Sequence, residues 1–243
     1  MRILATSDKG MVREMNQDCY YISNQDSKYN LYILADGMGG YNGGEIASCL
    51  AIDSAKQYID EHINKIELNK ETLPKLIKEA MEYANKKVYE KSKTDINLSE
   101  MGTTLEVCLI YNNKAYIGHI GDSRVYRIRK NIIRKLTIDH SYVEKLVRDG
   151  KITREESYHH PKKNMLIKAL GCEEKIEPDI LVKGFLNEDI ILMCSDGLTN
   201  LLNDKEIYEI VTNNLENANK LLIQAANTRG GYDNITAVII ENI

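Results

Sequence analysis

The chain has 243 residues, 43% of them hydrophobic and 28% charged, and it carries a formal net charge of −4. This is the composition of an ordinary soluble globular protein with enough chain for a substantial core, and it gives no reason to expect bulk binding to nucleic acid or to an anionic membrane. No apolar run approaches the roughly 18 residues of a membrane span, and the N-terminus MRILATSDKG lacks a signal-peptide stretch.

The five cysteines, Cys19, Cys49, Cys108, Cys172 and Cys194, are odd in number and show no C-x-x-C spacing. A cytoplasmic protein with neither a disulfide framework nor a zinc site is therefore expected.

In chain order, Arg2 to Ser7 is a first expected strand, turned by Asp8-Lys9-Gly10. A polar stretch, Met11 to Asp18, leads to strands at Cys19 to Ser23 and Leu31 to Ala35, joined by a polar turn over Asn24 to Asn30. Together these read as a β-meander. Glu45 to Ile63 and Thr72 to Lys91 keep apolar residues at helical spacing on one face, with Pro74 in the second helix's first turn. From Thr103 the period changes. Thr103 to Tyr111 with Lys114 to Ile120, and Arg124 to Ile128 with Ile132 to Leu136, read as two hairpins.

Short helices follow at Asp139 to Gly150 and Thr153 to Tyr158, the latter opened by a Thr153-x-x-Glu156 capping box. Tyr158 to Asn164 is a polar surface flap. Strands at Ile180 to Phe185 and Ile190 to Cys194 precede two helices, one opened by an Asn203/Glu206 capping box and the other over about Glu216 to Thr228. Ile235 to Ile240 closes a sheet. Strands in antiparallel runs with helices in pairs indicate an α+β fold, and without a linker or repeat, residues 1–243 form one domain.

The chemistry centres on Leu31 to Ala47, LYILADGMGGYNGGEIA, where an apolar strand runs into Asp36-Gly37 and a glycine-rich turn. Ile190 to Cys194 likewise runs into Ser195-Asp196-Gly197, and Asp233-Asn234 immediately precedes the last strand. One such aspartate alone would read as a turn residue; three in separate segments read as one shared site. Asp122, in the turn Gly121-Asp122-Ser123-Arg124, is a fourth. Oxygen ligands of this kind suit Mg²⁺ or Mn²⁺, which relieve carboxylate repulsion, and a pair of such ions makes water a nucleophile near neutral pH.

Arg13, close to Asn16 and Asp18, is the best anion contact, since a guanidinium can grip two phosphate oxygens. His159 and His160 in the flap are candidate substrate contacts, while His62 and His119 are structural. Ser123 and Ser195 lack a G-x-S-x-G elbow and read as turn residues. Neither a dinucleotide fingerprint, whose third position is filled by Asn42, nor a P-loop is present.

Arg13-x-x-Asn16-Gln17-Asp18, Asp36-Gly37-Met38-Gly39-Gly40, Gly102-Thr103-Thr104, Gly121-Asp122-Ser123-Arg124, Ser195-Asp196-Gly197 and Asp233-Asn234-Ile235-Thr236 occur in one order. In that order the chain resembles metal-dependent protein phosphatases of the type 2C class, the bacterial single-domain members above all. The resemblance covers Ala5 to Ile240. It implies a four-layer αββα sandwich of two antiparallel sheets flanked by helix pairs, and hydrolysis of phosphoserine and phosphothreonine in proteins.

It further implies that Asp36 bridges two Mn²⁺ or Mg²⁺ ions and that Gly37 is a ligand through its carbonyl. Asp196 and Asp233 complete the first metal's ligands, Asp18 is an outer contact to the second, and Asp122 with Asp196 holds a third ion. Arg13 matches the phosphate-binding arginine, and His140 to Gly171 the flap region. Eukaryotic members have His after Asp-Gly as a candidate general acid. Here the position is Met38, and water at the third ion is the expected proton source.

The expected role is a monomeric signalling enzyme acting on phosphoproteins and opposing a Ser/Thr kinase. Phosphatase action on small phosphate esters, and non-catalytic binding of phosphoproteins, are the alternatives.

Overall fold

The computed structural model describes residues 1–24, 29–39, 43–94 and 96–243. Most of the expected turn before Asn30, Gly40 of the glycine run and Asn42 lie outside the described residues. Eleven strands are described: β1 (Arg2–Asp8), β2 (Asp18–Ile22), β3 (Asn30–Met38), β4 (Gly102–Thr103), β5 (Leu105–Tyr111), β6 (Lys114–Ile120), β7 (Arg124–Arg129), β8 (Ile132–Lys135), β9 (Asp179–Gly184), β10 (Ile190–Cys194) and β11 (Ile235–Glu241). The helices are α1 (Gly43–His62), α2 (Thr72–Thr94), α3 (Tyr142–Arg148), α4 (Arg154–His159), α5 (Asp196–Thr199), α6 (Asp204–Asn213) and α7 (Ala218–Thr228). None of the described helices is long and apolar enough to cross a membrane.

One sheet has the order β1-β11-β10-β7-β8; the other runs β2-β3-β5-β6-β9, with β4 paired to β3. All pairings are antiparallel. Side-chain alternation along each strand sorts the core into three layers. In β3, Leu31, Ile33 and Ala35 face α1 and α2, while Tyr32 and Leu34 face the other sheet. In β10 and β11, Leu192, Cys194, Ala237 and Ile239 pack under α6 and α7. Met193, Val238 and Ile240 instead enter the seam between the sheets with Cys108, Ile117 and Val125. The result is the four-layer αββα sandwich.

The opening meander is corrected by this pairing. β1 joins β11 in one sheet, whereas β2 pairs with β3 in the other. Chain adjacency favours a meander, but β1 instead fills the place beside the C-terminal strand. The strand expected to end at Ala35 continues to Met38 because Gly37 and Met38 pair with Thr103 and Gly102. The helix expected from Asp139 begins only at Tyr142. Asp139 is held by Arg124 and Lys135, the His140 amide donates to the Gly121 carbonyl at 2.7 Å, and Ser141 caps the helix. Both expected capping boxes, Thr153/Glu156 and Asn203/Glu206, form.

Met193 is fully buried in the seam. Met193→Ala is expected to cost about 2–5 kcal/mol in urea unfolding through lost transfer energy and a residual cavity. Ile132→Ala, at a side chain 63% exposed, is expected to stay within about 0.5 kcal/mol.

Candidate active site

The alternation that fills the seam with apolar side chains also determines which polar ones enter its end. Asp36 follows Tyr32 and Leu34 on the seam face of β3, and Thr236 precedes Val238 and Ile240 on β11. Ser195 continues the face of Ile191 and Met193. Asp18 occupies the seam face of β2, because Cys19 and Tyr21 pack toward the helices. Asp18 and Asp36 are direct cross-strand partners, a pairing of like charges that destabilises a sheet unless something offsets it.

Three segments hold these carboxylates in place. The Asp36 amide donates to Thr104 Oγ1 at 2.9 Å, and its carbonyl accepts from the Thr104 amide and from Thr103 Oγ1, both at 2.9 Å. A Cβ at Gly37 would overlap the Gly44 carbonyl, so only glycine lets the chain turn so closely after Asp36. Thr236 Oγ1 and Ser195 Oγ both donate to Asp18 Oδ2, at 2.6 and 2.8 Å. Behind them, Asn16 Nδ2 donates to Ser7 Oγ at 2.8 Å, and Ser7 Oγ lies 2.7 Å from Thr236 Oγ1. Both hydroxyls that donate to Asp18 converge on the one oxygen, Oδ2. Asp18 Oδ1 is buried without a hydrogen-bond partner.

Asn234 ties the arginine loop to the last strand. Its Oδ1 accepts from the Gln17 amide at 2.8 Å, and its Nδ2 donates to the carbonyls of Lys9 and Met15 at 2.9 and 2.8 Å. Arg13 is thereby placed beside Asp233, with Nη2 2.8 Å from Asp233 Oδ2. That hydrogen bond, together with the field of Asp196 and Asp36, raises the Arg13 pKa.

Burial is the first cause that raises the carboxylate pKa values, and their mutual repulsion adds to it. Asp18 is pushed up to about 7, against the hydrogen bonds of Thr236 and Ser195. Asp196 is pushed up to about 6, with Asp233 repelling its charge most strongly. Asp36 rises under the fields of Asp18, Asp196, Asp122 and Asp233, and Asp122 under those of Asp196 and Asp139.

Among the described residues, no group of three or more His, Cys, Asp or Glu side chains is placed to hold a metal ion. The fit to a hard cation rests instead on the shared field of the carboxylates, their all-oxygen donors and the unpartnered oxygen of Asp18.

A cleft of about 1030 Å³ opens beside Asp122 and Asp196, walled on one side by α5 and the start of α6 and on the other by the 140–171 segment. That segment is pinned at its base by the Arg124–Asp139 ion pair at 2.7 Å, and within it the pair of Arg154 with Glu144 joins α4 to α3. His159 lines the cleft. His160 does not: its ring packs at 6.0 Å from Tyr142, and its Nδ1 accepts from the Lys162 amide.

His119 is structural, bonded to Glu106 at 2.9 Å and to the Ile138 carbonyl at 2.8 Å. Ser195 and Ser123 are more than turn residues: Ser195 orients Asp18, and Ser123 bonds Thr104, which holds Asp36. Strand alternation around Ile191 and Met193 is the signal that could have found Ser195.

Residues 11–227 match the family model for protein phosphatase 2C. The chain is similar to the serine/threonine phosphatase stp of Listeria innocua, at 35% identity over 237 residues, covering 97% of this chain and 93% of that one. It is similar to protein phosphatase PhpP of Streptococcus pneumoniae, at 37% identity over 246 aligned residues, covering 99% and 97%. Among solved structures, the Mycobacterium tuberculosis serine/threonine phosphatase PstP/Ppp superposes with a TM-score of 0.89 at 32% identity, covering 99% and 98% of the two chains. A catalytic domain of the serine/threonine protein phosphatase PstP, in complex with two manganese ions, superposes with a TM-score of 0.85 at 32% identity, covering 98% and 96%.

The raised carboxylate pKa values have a defined consequence for stability. Asp18, ordinarily near 3.8, holds its proton up to about 7 when folded, so the folded state binds more protons than the unfolded one between these values. With a chelator present, thermal stability is expected to fall as pH rises from about 4 to about 7, and Mn²⁺ to restore it at the upper end. Asp18→Asn should flatten the slope; an unchanged slope would remove Asp18 from its cause.

Proposed function

The chain belongs to the protein phosphatase 2C family, and on that premise we propose that it hydrolyses phosphoserine and phosphothreonine in cytoplasmic proteins, opposing a Ser/Thr kinase. The observation that carries this reading is the convergence of Asp18, Asp36, Asp122, Asp196 and Asp233 at the seam's end, with Arg13 at its rim. Asp36, the Gly37 carbonyl, Asp196 and Asp233 would hold two Mn²⁺ or Mg²⁺ ions. Asp18 would lie behind them as an outer contact, and Asp122 with Asp196 would serve a third. Bound there, the ions supply an activated water and neutralise charge on the phosphoryl group.

The chain's own residues position the substrate. Arg13, with its side chain 54% exposed, presents a planar fork that can orient phosphate oxygens for in-line attack. Its Asp233 contact keeps that fork beside the carboxylates. The 1030 Å³ cleft accommodates a protein segment next to the reacting group and exceeds what a small phosphate ester fills. His159, which lines the cleft, would touch that segment. Met38 pairs with Gly102 and lines a pocket with Leu166 and Ile167, and no imidazole follows Asp36-Gly37. The full set of aspartates argues against a non-catalytic binder.

Phosphate release from a phosphothreonine peptide across a Mn²⁺ titration tests the proposal. Wild type should show metal-dependent turnover, and Asp196→Asn should lose on the order of 10²–10³ in turnover. Metal binding without turnover on phosphopeptides would favour small esters or a regulatory role. No metal binding would overturn the metal site itself.

A further inference from the structure

Cys19 is the residue after Asp18 in β2, and its side chain points to the helix side of the sheet. Cys49 lies on α1, which packs on that side. Both are half-buried free thiols, and their sulfurs are 2.8 Å apart. A disulfide holds its sulfurs at about 2.03–2.05 Å, so the bond needs the pair to close by less than about 1 Å. In a reducing compartment such bonds are transient and regulatory.

We propose that Cys19 and Cys49 form a reversible oxidation site for low-molecular-weight disulfides, and that the resulting β2–α1 disulfide weakens metal binding at the adjoining carboxylates. One thiol of the pair, as its thiolate, attacks a sulfur of the small disulfide and breaks its S–S bond. The released small thiolate takes up the proton that the cysteine lost. The second cysteine then gives up its proton and attacks the mixed disulfide, forming the Cys19–Cys49 bond and releasing a second small thiol. Two protein thiols lose two electrons, and one small disulfide becomes two small thiols.

The coupling runs through the backbone. Ser48, the neighbour of Cys49, donates to the Gln17 carbonyl at 2.6 Å, and that same carbonyl accepts from the Gly37 amide at 3.1 Å. Drawing Cys19 toward α1 pulls Gln17–Asp18 away from the seam, where Asp18 faces Asp36. This half of the inference rests on the metal reading above; the cross-link does not.

The test incubates the full chain with oxidised and reduced glutathione at graded ratios. It maps disulfide-linked peptides without reduction and measures Mn²⁺ affinity by calorimetry. A Cys19–Cys49 peptide is expected, reversed by reductant and absent in Cys49→Ser and Cys49→Ala. Oxidised wild type should bind Mn²⁺ about tenfold more weakly than reduced, as loss of an outer-shell contact does. The oxidised variants should match their reduced forms.

Exposed Cys172 serves as the internal control for mixed disulfides with glutathione. Mixed disulfides alone, or a different pairing, would overturn the site. The cross-link with unchanged Mn²⁺ affinity would overturn the coupling. Absence of Mn²⁺ binding in the reduced protein would overturn the metal reading, and the coupling with it, while leaving the cross-link standing.

Discussion

Two sheets with apolar inner faces must close on one another, and in doing so they carry every second residue of each strand into one seam. Along most of its length the seam holds Tyr32, Leu34, Cys108, Ile117, Met193, Val238 and Ile240. At one end the same alternation delivers Asp18, Asp36, Ser195 and Thr236. The polar end therefore inherits the burial of the apolar one. Carboxylates there are dehydrated by the closure that stabilises the fold, which is why burial comes first among the causes of their raised pKa values.

The repulsion this creates is contained unevenly. Asp18 receives two hydroxyl donors on one oxygen and none on the other. Asp36 is gripped through its backbone by Thr103 and Thr104, so its carboxylate is placed without being neutralised. Asp233 has a guanidinium beside it. Backbone grips and one-sided hydrogen bonds hold the geometry while leaving negative charge for a cation to satisfy. A network that fully satisfied these carboxylates would have been more stable and less able to bind a metal.

Much of this was legible from local pattern. The apolar run Ile190 to Cys194 is a strand with those bounds, and Asn203 and Thr153 cap the helices that their Glu partners announced. The aspartates stood out because each follows or precedes an apolar strand. What local pattern could not show was partnership across the chain. β1 pairs with β11 rather than with its neighbour, and the Ser7–Thr236–Asp18 relay exists only because of that pairing. α5, four residues long, offers no helical period to read. His159 and His160 are adjacent in sequence, but α4 ends at His159, so one lines the cleft and the other packs on Tyr142.

The position of β11 between β1 and β10 bears on how the protein is made. A ribosome delivers β1 well before β11, yet the sheet cannot join β1 to the rest until β11 has emerged. The contact between Ser7 and Thr236 spans 229 residues, and closing such separations dominates the folding time of β-rich chains. The helix-covered sheet containing β3, β5 and β6 can assemble during synthesis, whereas Asp18 waits for Ser195 and Thr236, and Arg13 for Asp233. A nascent chain stopped short of the last strand is thus a half-sandwich with its inner face open. The capacity for chemistry arrives only with β11.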